Sequence, residues 1–168
     1  MPTIFTKIAK PVVLGTTLAV GLLLGEPASS APFSNLPGKW SGTGKIRVKG
    51  QDAERLRCSA DYQPRGSSGS TIVIRLTCDS DSYKFNLTGD FNADSGNSIS
   101  GRWTETTRNV GGTAIGRVNG DRFELHIESS AFAANLRMVT KTDRQSVTFD
   151  AQGGGQIVDA SITLSKGR

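Results

Sequence analysis

From residue 39 onward, apolar side chains recur mostly at every second position, in short runs separated by Gly, Asn, Asp and Ser. This is the period of a β-strand, whose side chains alternate between two faces, and not the 3.6-residue period of a helix. The alternation predicts strands over residues 39–49, 53–63, 71–79, 82–91, 98–106, 113–118, 122–128, 135–140, 145–150 and 157–165. Strands that follow one another through short turns form an antiparallel meander, and a meander protects its edges by closing or by pairing sheets. The expected fold is therefore all-β, an antiparallel up-and-down barrel of about eight to ten strands. Residues 129–134 read as a short helical turn, and neither a domain boundary nor a repeat of fixed period interrupts the pattern.

Antiparallel pairing fixes which residues stand opposite one another once a turn is located, so each turn predicts a register. A turn around Ser68 sets Cys58 against Cys78, with Ala60 against Leu76 and Tyr62 against Ile74 on the same face. Asn119-Gly120, a pair suited to a type I′ hairpin, places Gly116 against Phe123, Ala114 against Leu125 and Gly112 against Ile127. A turn at Thr142-Asp143 aligns Met138 with Val147 and Leu136 with Phe149, leaving Arg137 and Thr148 on the other face. A turn at Gly50-Gln51 pairs Ile46 with Leu56 inside and puts Arg47 beside Arg55 and Lys45 beside Arg57 outside.

The first thirty residues differ in kind. Lys7 and Lys10 precede an apolar stretch from Pro11 to Gly25, followed by the small residues Ala28-Ser29-Ser30-Ala31. This is the order of a secretory signal peptide. The stretch is shorter than the roughly 20 apolar residues of a membrane span. Cleavage is expected between Ser30 and Ala31, giving residues 1–30 as leader and 31–168 as one barrel domain without a transmembrane anchor. No Cys lies near that cut to carry a lipid. Loss of Lys7, Lys10 and Glu26 lowers the net charge from +5 to +4, too little for a dedicated nucleic-acid binder. With two Cys in an exported chain, brought opposite by the register, a structural disulfide Cys58–Cys78 is expected. Closing that loop is worth about 3 kcal/mol in the chain-entropy account.

At the start of the domain, Gly38-Lys39-Trp40 opens the first strand. It resembles the G-x-W opening of the calycin superfamily of secreted β-barrels, which includes the lipocalins. The resemblance implies that Trp40 packs across the closed end of the barrel, often beneath an arginine of a late strand, with Lys166 and Arg168 as the candidate cations here. The lipocalin T-D-Y signature is absent, because Arg144 follows Thr142-Asp143.

The chemistry-bearing residues point away from catalysis. His126, the single histidine, alternates with Phe123, Leu125 and Ile127, which puts it on the outer face with Glu124 and Glu128. It has no nucleophile motif beside it and cannot supply a metal's ligand set alone. Glu105 shares a strand face with Trp103, an acid near an aromatic platform, and reads as a strand-end acid in the adjoining turn. Gly111-Gly112 and Gly153-Gly154-Gly155 lack the lysine of a phosphate loop. We therefore expect an exported protein, periplasmic or secreted, that is not an enzyme and carries no cofactor or metal.

Three binding roles fit this outline. A small apolar ligand would occupy a lumen lined by Trp103, Gly116, Phe123 and Leu125. An anionic cell-envelope partner would engage Lys45, Arg47, Arg55 and Arg57, whose clustering stability alone does not explain. A rigid end loop could instead inhibit a secreted hydrolase, a protease or lysozyme-like enzyme.

Overall fold

The alternating pattern is realised as ten antiparallel strands: β1 (Gly38–Val48), β2 (Glu54–Pro64), β3 (Thr71–Asp79), β4 (Lys84–Ala93), β5 (Ser98–Glu105), β6 (Val110–Asn119), β7 (Arg122–Ser129), β8 (Ala133–Lys141), β9 (Arg144–Gln152) and β10 (Ile157–Lys166). The computed structural model describes residues 31–167; the expected leader, its cleavage site at Ser30 and the terminal Arg168 lie outside the described residues. Each strand bonds to its neighbours in the chain, and β1 pairs with β10 to close the ring. Closure removes the unpaired edges that an open meander would present. One face of every strand then turns inward, where Leu56, Cys58, Ile72, Trp103, Ala114 and Leu164 are buried.

Two of the expected registers are realised. Cys58 stands opposite Cys78, with Ala60 against Leu76 and Tyr62 against Ile74, and the cysteines form a disulfide across a Cα–Cα distance of 4.1 Å. Met138 faces Val147 and Leu136 faces Phe149.

Two registers differ from expectation. Asn119 pairs with Arg122, so the β6–β7 turn is Gly120-Asp121, and Gly116 faces Leu125, Ala114 faces Ile127 and Val118 faces Phe123. The physical reason is the backbone. The positive φ of 59° falls on Gly120, which adopts it without a Cβ clash, and Asn119 continues the strand. In the β1–β2 hairpin, Lys45 faces Arg55, Gly44 faces Leu56 and Ile46 faces Glu54. Arg47 therefore does not pair with Arg55, nor Lys45 with Arg57. Here Gly50, with φ of 75°, and a Gln51 N–H bond to the Val48 carbonyl (3.1 Å) shape the turn. Both slips amount to two positions, so every side chain keeps its face while its neighbour changes.

The helical turn expected over residues 129–134 is a hairpin turn instead. The Ser129 hydroxyl accepts the Ala131 and Phe132 N–H groups, each at 3.1 Å, satisfying donors that a helix would otherwise have to pair.

One end of the barrel is sealed. Residues 31–37 cross it, burying Phe33 and Leu36, and Phe33 stacks on Phe123 with ring centroids 6.1 Å apart. Trp40 lies beneath them, its indole N–H donating to the Leu36 carbonyl at 2.8 Å. The Lys166 ammonium sits 5.3 Å from the Trp40 ring, so the G-x-W tryptophan occupies the position its resemblance implied, under a late-strand cation. The polar groups at this end are matched. Tyr62 donates to Gln145 Oε1 at 2.7 Å, and Gln145 Nε2 donates to Thr140 at 3.0 Å. Burial holds the Tyr62 phenol well above its ordinary pKa, so it keeps the proton it donates.

Candidate functional site

The opposite half of the barrel is not filled. A cavity of about 170 Å³ lies between the starts of β4, β6 and β10 and the ends of β3, β5 and β9. Inward positions there carry side chains of moderate size, such as Leu76, Val147, Ala160 and Ile162, which do not reach across the ring. An aromatic wall bounds one side. The Trp103 and Phe132 rings lie 5.8 Å apart, Phe132 meets Phe149 edge-on at 6.1 Å, and the Trp103 indole N–H is satisfied by the Thr113 carbonyl at 3.2 Å. Trp103 fits its strand because its cross-strand partners are Gly89 and Gly112, which leave room for the ring.

Charged groups line the cavity at one place, the β5–β6 turn. Glu105 is buried at 3% exposure, and its carboxylate accepts the N–H groups of Asn86 (3.1 Å), Thr107 (2.8 Å) and Arg108 (2.8 Å). Burial pushes its pKa up, but these hydrogen bonds outweigh that and hold it below the usual carboxylate value. Arg108 places its guanidinium 3.8 Å from the Tyr83 ring centroid, donates to the Lys84 carbonyl at 2.9 Å and lies 3.8 Å from Glu105. Tyr83 has its pKa raised chiefly by burial, an effect that Arg108 opposes and Glu105 reinforces. Arg108 both lines the cavity and is 40% exposed, so its side chain runs from the cavity wall to solvent at this corner.

Of the four residues expected to line a lumen, the cavity takes only Trp103. Phe123 belongs to the sealed end against Phe33. Leu125 and Gly116 face inward as a cross-strand pair but lie outside the cavity wall. Their places are taken by Ile127 and Leu136, and by Tyr83, Phe85, Phe132 and Arg108, which the sequence reading missed. The alternation Tyr83, Phe85, Leu87 into β4 was the available signal.

The four cations are all exposed on the outer face, but they do not form one like-charged block. Arg47 forms an ion pair with Asp159 and Arg57 faces Asp79 across β3, which leaves Lys45 opposite Arg55. His126 lies outside the barrel, its ring nitrogens 3.2 Å from Asn135 Oδ1 and 3.3 Å from Glu128. Among the described residues no group of three or more His, Cys, Asp or Glu is placed to hold a metal.

No family model and no curated protein matches the sequence. Solved structures do share its shape. Rv2717c from M. tuberculosis superimposes with a TM-score of 0.66 at 15% identity, over 80% of this chain and 94% of that one. The S-type phycobiliprotein lyase CPES from Guillardia theta does so with a TM-score of 0.56 at 15% identity, over 81% and 90%. At such identities the likeness is one of fold, a closed antiparallel β-barrel.

Proposed function

We propose that this protein is a non-catalytic binding protein that holds a small apolar ligand in the cavity beside Trp103. The observation that carries the reading is the unfilled half of the barrel, about 170 Å³ bounded almost wholly by apolar side chains. An engineered apolar core cavity of about 150 Å³ stays dry and takes up benzene, so a space of this size is matched to a small ring or a short branched chain. The wall of Trp103, Phe132 and Phe149 favours a ring. Arg108, at the solvent corner, would meet any polar end the ligand carries. A hydrolytic role for Glu105 is disfavoured by its own environment, since a general acid needs a raised pKa and three N–H donors hold this one down. The Lys7 and Lys10 leader and the disulfide, a bond that persists in oxidising compartments, support an exported protein, periplasmic or secreted. The Gly38-Lys39-Trp40 opening supports a calycin-like kinship.

The test is binding of a neutral naphthylamine fluorophore, followed by its emission on transfer out of water, to the wild type and to Ala160→Phe, which fills the cavity from β10. We expect saturable binding by the wild type and at least a tenfold weaker affinity in the variant. Ile162→Phe serves if Ala160→Phe does not fold. Equal affinity in a folded filling variant, or no binding by the wild type, would overturn the proposal.

A further inference from the structure

We infer that the outer face of β9, β10 and β1 is a binding groove for an acidic polysaccharide. The proposal is independent of the cavity, because it uses the opposite side of the barrel wall.

The pairing registers lay out a grid of nine outward positions. Ser41 faces Ser165, Thr43 faces Thr163 and Lys45 faces Ser161 across β1 and β10; Ser165 faces Arg144, Thr163 faces Ser146 and Ser161 faces Thr148 across β10 and β9. Every one is exposed. Seven of the nine carry hydroxyls, the other two are cations at diagonal corners, and none is acidic. At about 3.3 Å per residue and 4.8 Å between strands, Lys45 and Arg144 are roughly 16 Å apart, a span of several sugar residues. The short hydroxyl side chains sit lower than the cations around them. A shallow groove of about 720 Å³ covers the Lys45 end of this grid, lined by Thr43, Lys45, Ser146, Thr148, Ser161 and Thr163 together with Glu54 and Arg55 of β2; Arg144 stands beyond its other end.

Neither cation of the grid has an acidic cross-strand partner. Lys45 faces Arg55, a like-charge cross-strand pair, which is mildly destabilising. Arg144 likewise faces Lys141. Glu54 also lines the groove, beside Arg55; its carboxylate stays charged but accepts the Ser82 backbone N–H and hydroxyl, which leaves Lys45 and Arg55 in excess over it. In the adjoining row, Asp159 is paired with Arg47, and Asp150 stands beyond it.

This combination selects the partner's chemistry. Hydroxyls that both donate and accept match sugar hydroxyls, and the corner cations match carboxylate or sulfate substituents. None of the nine grid positions carries an aromatic ring to stack on a base or a large aliphatic to enter a bilayer, so nucleic acid and membrane fit it less well.

The experiment measures affinity of the chain from Ala31 onward for polygalacturonate and for heparin, with neutral dextran as control, at 20–150 mM salt. We expect salt-sensitive binding to at least one acidic polymer and none to dextran. Lys45→Gln with Arg144→Gln should weaken it about tenfold, and Ser161→Ala with Thr163→Val should weaken it several-fold at unchanged net charge. Arg102→Gln with Arg117→Gln, the same charge loss on β5 and β6, should leave the affinity within twofold. Equal loss from the two charge pairs, no effect of the hydroxyl pair, or wild-type binding to phosphatidylglycerol vesicles but to neither polymer would overturn the inference. A naphthylamine titration of the same variants distinguishes this outcome from failure of the cavity reading, because none of the substitutions touches the cavity.

Discussion

Replacing Glu105 tests how the cavity mouth is held together. Its carboxylate gathers three backbone donors from β4 and the β5–β6 turn, at 3.1, 2.8 and 2.8 Å, and a hydrogen bond to a charged acceptor is worth about 1.5–3 kcal/mol. Glu105→Ala strands all three donors, and allowing for non-additivity it should cost about 3–5 kcal/mol. Glu105→Gln is gentler. Its single oxygen can still serve Asn86 and Thr107, while its amide nitrogen confronts the Arg108 N–H, donor against donor, for a loss of about 2 kcal/mol. In a domain of this size that lowers Tm by roughly 5–8 °C. The effect carries a pH signature. The folded-state pKa of Glu105 lies below its ordinary value, so its stabilisation is complete above the unfolded pKa of about 4.3 and is lost as pH falls through the lower folded value. Urea titrations of wild type and Glu105→Gln should therefore show a constant gap from pH 7 to about pH 5 that narrows in more acidic solution. A gap below about 0.5 kcal/mol at pH 7, or one that persists undiminished at pH 3, would refute the assignment.

Two further outcomes follow from the wall itself. Cys58→Ser with Cys78→Ser frees a loop with a sequence separation of 20 and should lower unfolding free energy by about 3 kcal/mol; a urea midpoint unmoved by the double substitution would contradict this. Gly44 lies so close to β10 that a Cβ there would collide with the Ser161 carbonyl, so Gly44→Val should prevent soluble folding, and a variant with wild-type circular dichroism and Tm would show that the seam tolerates side chains.

The sequence carried the wall better than the space inside it. All ten strands follow from the period of two, and the inward or outward sense of each residue survives even where a register slips, because both slips are of two positions. The true partners of Gly116 and Arg47 depended on which turn residue adopts positive φ, a choice that Asn119-Gly120 leaves open by composition alone. The cavity was less legible still. Whether Trp103 shares its space with Phe123 or with Phe132 and Phe149 depends on how far each strand is staggered around the ring, which no single hairpin fixes. The sealed end is marked more plainly in the sequence: Phe33 and Leu36, three apart before the first strand, are both buried, and Thr140 and Gln145 fall on inward positions of their hairpin.

The order of strands around the ring also governs how the ring is made. Apart from the β1–β10 seam, every pairing among the described residues joins chain neighbours, so hairpins can zip locally at small loop-closure cost. The last seam must bring together segments more than a hundred residues apart, such as Arg47 and Asp159. Contacts of that separation are slow to form, so joining β1 to β10 is the natural late step, and until it happens both strands expose bare edges. The glycines that let those two strands approach so closely thus stand at the kinetic bottleneck, where a chain delayed in shutting is most vulnerable to pairing with another copy of itself.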